Sequence, residues 1–144
     1  MPKSNIKKVA VLYRVIPEWR APIFEKLAKR EDIDLTVYYG PDLVNTKTIS
    51  TKKIYNFKKI KLFAFQLNFN SKNGRVYIPI TPFLFLKLIK DKPDVILSEG
   101  ASHLFDAFQG FLYAKIFRKK FIWWSLGKLE KKKTSLLRKI FNNF

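Results

Sequence analysis

Lys92-Pro93-Asp94-Val95-Ile96-Leu97-Ser98-Glu99-Gly100 is the stretch on which the fold turns. A charged opening marked by proline leads into a short apolar run. That run stops abruptly at a small polar residue, an acid and a glycine. Short apolar runs bounded by turn residues read as buried strands. In open α/β sheets, ligands bind in the crevice beyond the carboxyl ends of the strands. Glu99 and Gly100 stand where this strand would end. The stretch therefore predicts a sheet with a site along one edge.

The flanking sequence supplies the rest of such a sheet. Lys8 to Tyr13 is a short run rich in β-branched and apolar residues, the pattern of a first buried strand. Pro17 breaks the chain, and Ala21-Pro22 opens a helix, since proline is tolerated in a first helical turn. Ile23, Phe24, Leu27 and Ala28 share one helical face. Leu35 to Tyr39 is a second strand, stopped by Gly40-Pro41. Strand, helix and strand with short joins form a βαβ unit, which implies parallel pairing. Asp42 to Lys61 shows little periodicity and reads as a long loop. Phe63, Phe65, Leu67 and Phe69 then alternate with small or polar residues, the period of a half-buried strand. Asn73-Gly74 is a tight-hairpin dipeptide, and Arg75 to Ile80 is the returning strand. Thr81-Pro82 caps a helix through Lys90. Ser102 is an N-cap for the next helix, whose apolar face is Leu104, Phe105, Phe108, Phe111, Leu112 and Ile116. Phe121 to Ser125 is a last strand, closed by Gly127. The predicted class is α/β, Rossmann-like, with a mainly parallel sheet flanked by helices. Residues 1–127 are expected to form the domain, and 128–144 a basic amphipathic C-terminal helix.

Composition narrows the chemistry. The chain has 144 residues, 47% of them hydrophobic and 16% aromatic, enough for one well-filled core. It has no cysteine, which excludes a disulfide framework, a thiolate metal site and a cysteine nucleophile. Met1 to Lys8 has no apolar core of a secretory signal. The longest uncharged apolar run, Val76 to Leu86, contains two prolines and is too short to span a bilayer. Twenty-nine lysines and arginines against eleven acids give a net charge of +18. Such a surface attracts nucleic acid, anionic headgroups or phosphorylated substrates, unless the lysines merely solvate the surface.

From Lys115 onward every charged residue but Glu130 is basic. Lys131, Lys132 and Lys133 precede a Thr134-Ser135 cap. Leu136, Leu137, Ile140, Phe141 and Phe144 share a helical face, with Arg138 and Lys139 off it. A basic amphipathic helix of this kind binds membrane interfaces. The alternative is a helix that packs on the sheet with its lysines in water.

Neither standard glycine-rich phosphate cradle is present, nor a Gly-x-Ser-x-Gly elbow. The single histidine, His103, and the absence of an acidic cluster make metal chemistry a poor fit. Three polar features remain. Arg14 and Arg20 bracket the loop after the first strand and could grip a phosphate or carboxylate, with Glu18 beside them and Trp19 as a stacking face. The alternative pairs Arg20 with Glu18 or Glu25 and packs Trp19 on a helix. Glu99, before Gly100, could accept a proton or a substrate hydroxyl; its alternative is an ordinary loop acid. His103 lies in the first turn of the following helix, where a structural role is the alternative.

Taken in order, these segments resemble a known family. Val9 to Tyr13, followed by Ile16-Pro17-Glu18-Trp19-Arg20-Ala21-Pro22-Ile23-Phe24-Glu25-Lys26-Leu27, resembles the opening of glycosyltransferases with the two-domain GT-B architecture, group 1 or family 4 type. Lys92 to Gly100 is similar to a later strand of the same N-terminal domain, and Phe121 to Gly127 to the strand after it. The resemblance implies one half of a GT-B fold, the acceptor-binding N-terminal domain of a hexosyltransferase. That half would be inactive without a C-terminal donor-binding domain, supplied in cis or in trans. It implies no cofactor on this half and a nucleotide-sugar donor for the complete enzyme. The acceptor would be a glycan or lipid-linked sugar used in cell-envelope polysaccharide biosynthesis. Some relatives carry a histidine where this chain has Glu99, and His103 follows shortly. Glu99 and His103 are thus the catalytic candidates, and Arg14, Glu18, Trp19, Arg20 and Gly100 the acceptor contacts. The expected place is the cytoplasmic face of the plasma membrane, peripherally bound. Lys131, Lys132, Lys133, Arg138, Lys139 and a loop at Lys58 to Lys61 would meet anionic headgroups.

A rival from another class is a non-enzymatic basic module for nucleic acid or an acidic partner. Its aromatics should cluster on an exposed face. Here Phe63, Phe65, Phe69, Phe105, Phe108 and Phe111 fall at core spacings, so no specific nucleic acid is expected.

Overall fold

Five short runs of the chain pair side by side and all point the same way. The structure is a computed structural model that describes residues 6–42, 49–71, 74–99 and 104–124. Its elements in chain order are β1 (Lys7–Tyr13), α1 (Ala21–Ala28), β2 (Ile33–Tyr39), β3 (Lys58–Lys61), β4 (Phe65–Ser71), β5 (Gly74–Ile80), α2 (Leu84–Asp91), β6 (Val95–Glu99), α3 (Leu104–Ile116) and β7 (Lys120–Trp124). The main sheet has the order β3-β2-β1-β6-β7, and every pairing in it is parallel. The chain steps outward from β1 to β2 and β3, then returns to the other side of β1 for β6 and β7. This is the Rossmann-like order, and its reversal point lies between β1 and β6. The expected fold class is what the chain adopts.

Alternation along the strands sorts the core into two layers. Ala10, Leu12, Tyr38 and Ile96 pack with Leu84, Leu88, Tyr113 and Ala114 of α2 and α3. Val11, Tyr13, Leu35 and Val37 pack with Ala21 and Phe24 of α1. Crossovers of one hand put helices on opposite faces when the chain reverses direction along the sheet. That is why α1 stands alone on one face and α2 and α3 share the other. Gly110 lets α3 approach closely: a Cβ there would stand 2.7 Å from Leu12 Cδ1 and 3.0 Å from Ile96 Cγ2.

Helices α2 and α3 are held at their ends by unusual means. Helix α2 begins at an N-cap, Phe83, that offers no side-chain cap bond, so the expected Thr81-Pro82 cap is not made. Instead Gln109 of α3 accepts a hydrogen bond from the Phe85 N–H at 3.0 Å and donates to the Thr81 carbonyl at 3.0 Å. The Thr81 hydroxyl itself is hydrogen-bonded to the buried Asp106 carboxyl. The C-terminal ends of α2 and α3 turn through left-handed Lys92 and Arg118, at φ 51° and 52°. The Lys119 N–H bonds back to the Ala114 carbonyl at 2.8 Å, a Schellman closure.

Two expectations need correction. Lys58 to Lys61 is not part of a loop; it is the edge strand β3, parallel to β2. Its one apolar residue, Ile60, packs on the core while its lysines stay in water, which hid its strand character. The link from β2 to β3 is irregular among its described residues, and Tyr55 and Phe57 fill the space beside Phe24. The second correction concerns the phenylalanines. Phe63, Phe65, Phe105 and Phe108 are exposed, not core. Phe105 and Phe108 lie on the outer side of α3, which buries Asp106, Ala107, Gln109, Gly110, Tyr113 and Ala114 instead. Phe63 and Phe65 lie at the start of an amphipathic ribbon whose apolar side is exposed. This ribbon, β4 paired antiparallel with β5, is separate from the main sheet.

Candidate functional site

The carboxyl ends of β1, β6 and β7 place three residues in one row. Leu12 pairs with Ser98 and Ser98 with Trp123, so the next residues, Tyr13, Glu99 and Trp124, lie abreast. All three fall on the α1 side of the sheet, where Tyr13 is core and Trp124 packs against it. The Tyr13 and Trp124 rings stand 6.4 Å apart. This row sits at the reversal point of the sheet, where such folds bind their ligands.

Helix α1 delivers the fourth group. Arg20 is its N-cap residue, with no side-chain cap bond. Its N–H is held by the Pro17 carbonyl at 2.9 Å. The guanidinium lies 4.0 Å from the centre of the Trp124 ring and 4.5 Å from that of Trp19, a cation held by two indoles. The Arg20 Nε is buried and has no hydrogen-bond partner among the described residues. The Tyr13 hydroxyl interacts, through hydrogen bonding and charge, with both Glu99 and Arg20. Burial and then the Glu99 charge push the Tyr13 phenol above its ordinary value, against an opposing pull from Arg20. Tyr13 is therefore neutral at physiological pH, a donor set between a cation and a carboxylate.

The expected site residues divide. Trp19, Arg20 and Glu99 meet at this rim. Trp19 is 63% exposed, so it is a free aromatic face and not a helix packing residue. Neither Glu18 nor Glu25 is the partner of Arg20: Glu18 pairs with Lys53, and Glu25 accepts the Asn56 N–H at 3.1 Å. Glu18 thus ties the loop after β1 to the β2–β3 link. Arg14 does the same through its backbone, where its carbonyl accepts the Gly40 N–H at 2.8 Å. Gly100, His103, the Ser102 cap and the basic residues Lys131, Lys132, Lys133, Arg138 and Lys139 lie outside the described residues.

Tyr13 and Trp124 were missed as site residues because each reads as the apolar end of a strand. The available signal was parity: both stand one row beyond the last fully apolar pairs, beside Glu99. Another residue of the rim, Ser98, is buried with its hydroxyl lacking a partner among the described residues. It faces the α2–α3 side, away from the row.

A polar pocket of about 200 Å³ lies at the opposite end of the sheet, between Lys8, Asp34, Tyr38, Lys58, Lys90 and Asp91. It stands at the amino ends of the strands, and the Tyr38 hydroxyl bridges it to Asp91 at 2.6 Å. The convergence of unlike polar groups favours the rim over this pocket. Among the described residues no cluster of His, Asp or Glu could hold a metal ion, and no helix is long and apolar enough to cross a membrane.

Comparison of the chain with family models, with curated proteins and with solved structures finds no match. What the molecule itself defines is a Rossmann-like α/β chain with an aromatic, doubly charged rim at the reversal point of its sheet.

Proposed function

We propose that this chain is the acceptor-binding half of a nucleotide-sugar-dependent glycosyltransferase of the GT-B type it resembles. The observation that carries the reading is the rim: an exposed indole, a guanidinium, a phenol and a carboxylate side by side. A sugar ring has apolar C–H faces and a girdle of hydroxyls. Trp19 suits the face, because an indole offers a flat apolar surface with a polar edge. Arg20 and Glu99 suit neighbouring hydroxyls, one donating and one accepting. Their charges offset each other, which favours a neutral, hydroxyl-rich ligand over a free phosphate.

The resemblance to the GT-B type supplies the chemistry of this reading. A nucleotide-sugar donor would be held by a second domain, in cis or in trans, and this half would hold the acceptor. Glu99 accepts the proton of the acceptor hydroxyl as that oxygen bonds to the anomeric carbon. The bond from that carbon to the nucleoside diphosphate breaks, and the diphosphate leaves with the electron pair. His103 remains the second candidate for the proton. The acceptor class is a lipid-linked or envelope glycan, at the cytoplasmic membrane face.

Tryptophan fluorescence tests the reading directly, because Trp19 and Trp124 flank the proposed site. Titration with a panel of alkyl hexosides should quench or shift the emission saturably. Arg20→Ala and Trp19→Ala should each weaken binding about tenfold, the scale of one lost charged hydrogen bond or stacking contact. A panel that leaves the emission unchanged overturns it. In the complete enzyme, Glu99→Gln should lower kcat by about 100-fold or more, the usual weight of a general base.

The rival reading, a non-enzymatic basic module, gains from one observation. The exposed phenylalanines are where the sequence placed core residues. A salt-dependent gel shift with generic single strands would support it.

A further inference from the structure

The β4–β5 ribbon has one apolar face that the chain leaves about half exposed. Register sets that face: Phe65 stands opposite Ile80 and Leu67 opposite Ile78, while Gln66 and Asn68 point the other way. Phe63, just before the ribbon, meets Phe65 with ring centres 4.9 Å apart and Phe83 at 6.5 Å. Leu86 continues the patch one turn along α2 from Phe83. Phe63, Phe65, Phe83 and Leu86 are 51–61% exposed, and Leu67 and Ile78 are exposed as well. Lone surface apolar residues are ordinary, but a contiguous patch of this kind marks an interaction surface.

We propose that this patch inserts into the interface of an anionic lipid bilayer. Charge argues for that occupant over the others. A second copy of the chain also carries +18, so face-to-face association through this patch works against self-repulsion. Lys61, exposed at the end of β3, precedes Phe63 by two residues, and Lys87 follows Leu86 directly on α2, where it pairs with Asp91 at 3.7 Å. An apolar centre flanked by lysines matches acyl chains below anionic headgroups. Single-stranded nucleic acid fits less well. Phe63 and Phe65 meet edge to face at 85°, so they offer no shared platform for stacked bases. Half the patch is aliphatic and has no ring to stack.

Position gives the patch a purpose. The ribbon leaves from the carboxyl end of β3, where the Leu62 N–H bonds the Tyr39 carbonyl at 2.7 Å, and returns at the start of α2. It therefore rises from the same end of the sheet as the Tyr13–Arg20–Glu99 rim. A bilayer held by the ribbon would face the rim, and a ligand with a lipid tail could reach it without leaving the membrane. The proposal does not rest on the glycosyltransferase reading. It moves the expected membrane contact from the tail lysines to the ribbon.

The absence of cysteine makes a clean experiment possible. Leu67→Cys and Asn68→Cys place a nitroxide on opposite faces of one strand at consecutive positions. Vesicles of phosphatidylcholine, with and without phosphatidylglycerol, are then added to each labelled chain. The Leu67→Cys label should become shielded from a water-soluble relaxant and exposed to oxygen, on the anionic vesicles. The Asn68→Cys label should stay in water. In flotation, Phe63→Ser/Phe65→Ser and Phe83→Ser/Leu86→Ser should each lower partitioning about tenfold, at an unchanged melting temperature. Lys131→Ala/Lys132→Ala/Lys133→Ala should retain the shielding of the Leu67→Cys label. Equal solvent access of the two labels overturns the proposal. So does wild-type chain that fails to float with anionic vesicles, or preferential binding of a single-stranded oligonucleotide lost on the same substitutions. A failure here leaves the hexoside titration untouched, so the two readings fall separately.

Discussion

Asp94 ties together the starting ends of three strands. One carboxylate oxygen accepts the Lys8 N–H at 3.2 Å, and the other pairs with the Lys119 ammonium at 2.7 Å. Its backbone joins Lys8 and Lys120 as well. The Lys119 hydrogen bond, with help from the Lys8 N–H, holds the carboxyl below its ordinary value. A depressed carboxylate stabilises the fold fully above the unfolded value, about 3.9 for aspartate. That contribution is lost as pH falls through the lower folded value. Asp94→Asn should therefore flatten the acid limb of the stability curve below about pH 4, read by thermal melts across pH. At neutral pH Asp94→Ala should cost about 1–2 kcal/mol, one backbone bond plus a half-exposed ion pair. Sequence showed Asp94 only as part of a strand opening. That it anchors β1 and β7 depends on strands far apart in the chain becoming neighbours.

At the scale of elements, α2 depends on α3 for its start. Gln109 is buried and serves both the Phe85 N–H and the Thr81 carbonyl. Gln109→Leu keeps the volume but strands both groups, so it should cost about 2–3 kcal/mol in chemical denaturation. Gln109→Glu keeps the acceptor and loses the donor, so it should fall between. Helix periodicity made α1 and α2 legible through Phe24, Leu84 and Leu88. For α3 it gave the helix but the wrong face: the buried side carries Asp106, Ala107, Gln109, Gly110, Tyr113 and Ala114, and Phe105, Phe108 and Ile116 are exposed. It could not show that one helix caps another. Strand β3 escaped notice for a related reason. Its lysines mask a single inward residue, and only its pairing with Thr36 to Tyr39 makes it a strand. The ribbon was seen as alternation, and its turn dipeptide lies partly outside the described residues. Which of its faces meets water is a matter of what lies beside it, and no local pattern encodes that.

For the whole molecule, the +18 charge acts on everything at once. Like charges crowd together when the chain folds, and salt screens them over about 10 Å at 0.1 M. The melting temperature should therefore rise by several degrees between low salt and about 0.5 M sodium chloride, since roughly 1 kcal/mol moves a domain of this size by a few degrees. A melting temperature that falls with salt would mean that ion pairs such as Lys119–Asp94 outweigh the repulsion.

The amino-acid sequence by itself determined the parallel α/β class. Short apolar runs, proline and glycine stops and helical apolar faces are local signals, and each is written within a dozen or so residues. It also named Trp19, Arg20 and Glu99 as candidates, because polar groups just past strand ends are exceptional wherever they occur. Only the tertiary structure decided that Tyr13 and Trp124 join them while Arg14 and Glu18 serve the loops. It alone decided that Phe63 and Phe65 are exposed. The reason is register: neighbours across a sheet are chosen by pairing between distant segments, and a side chain's burial depends on what those segments leave uncovered.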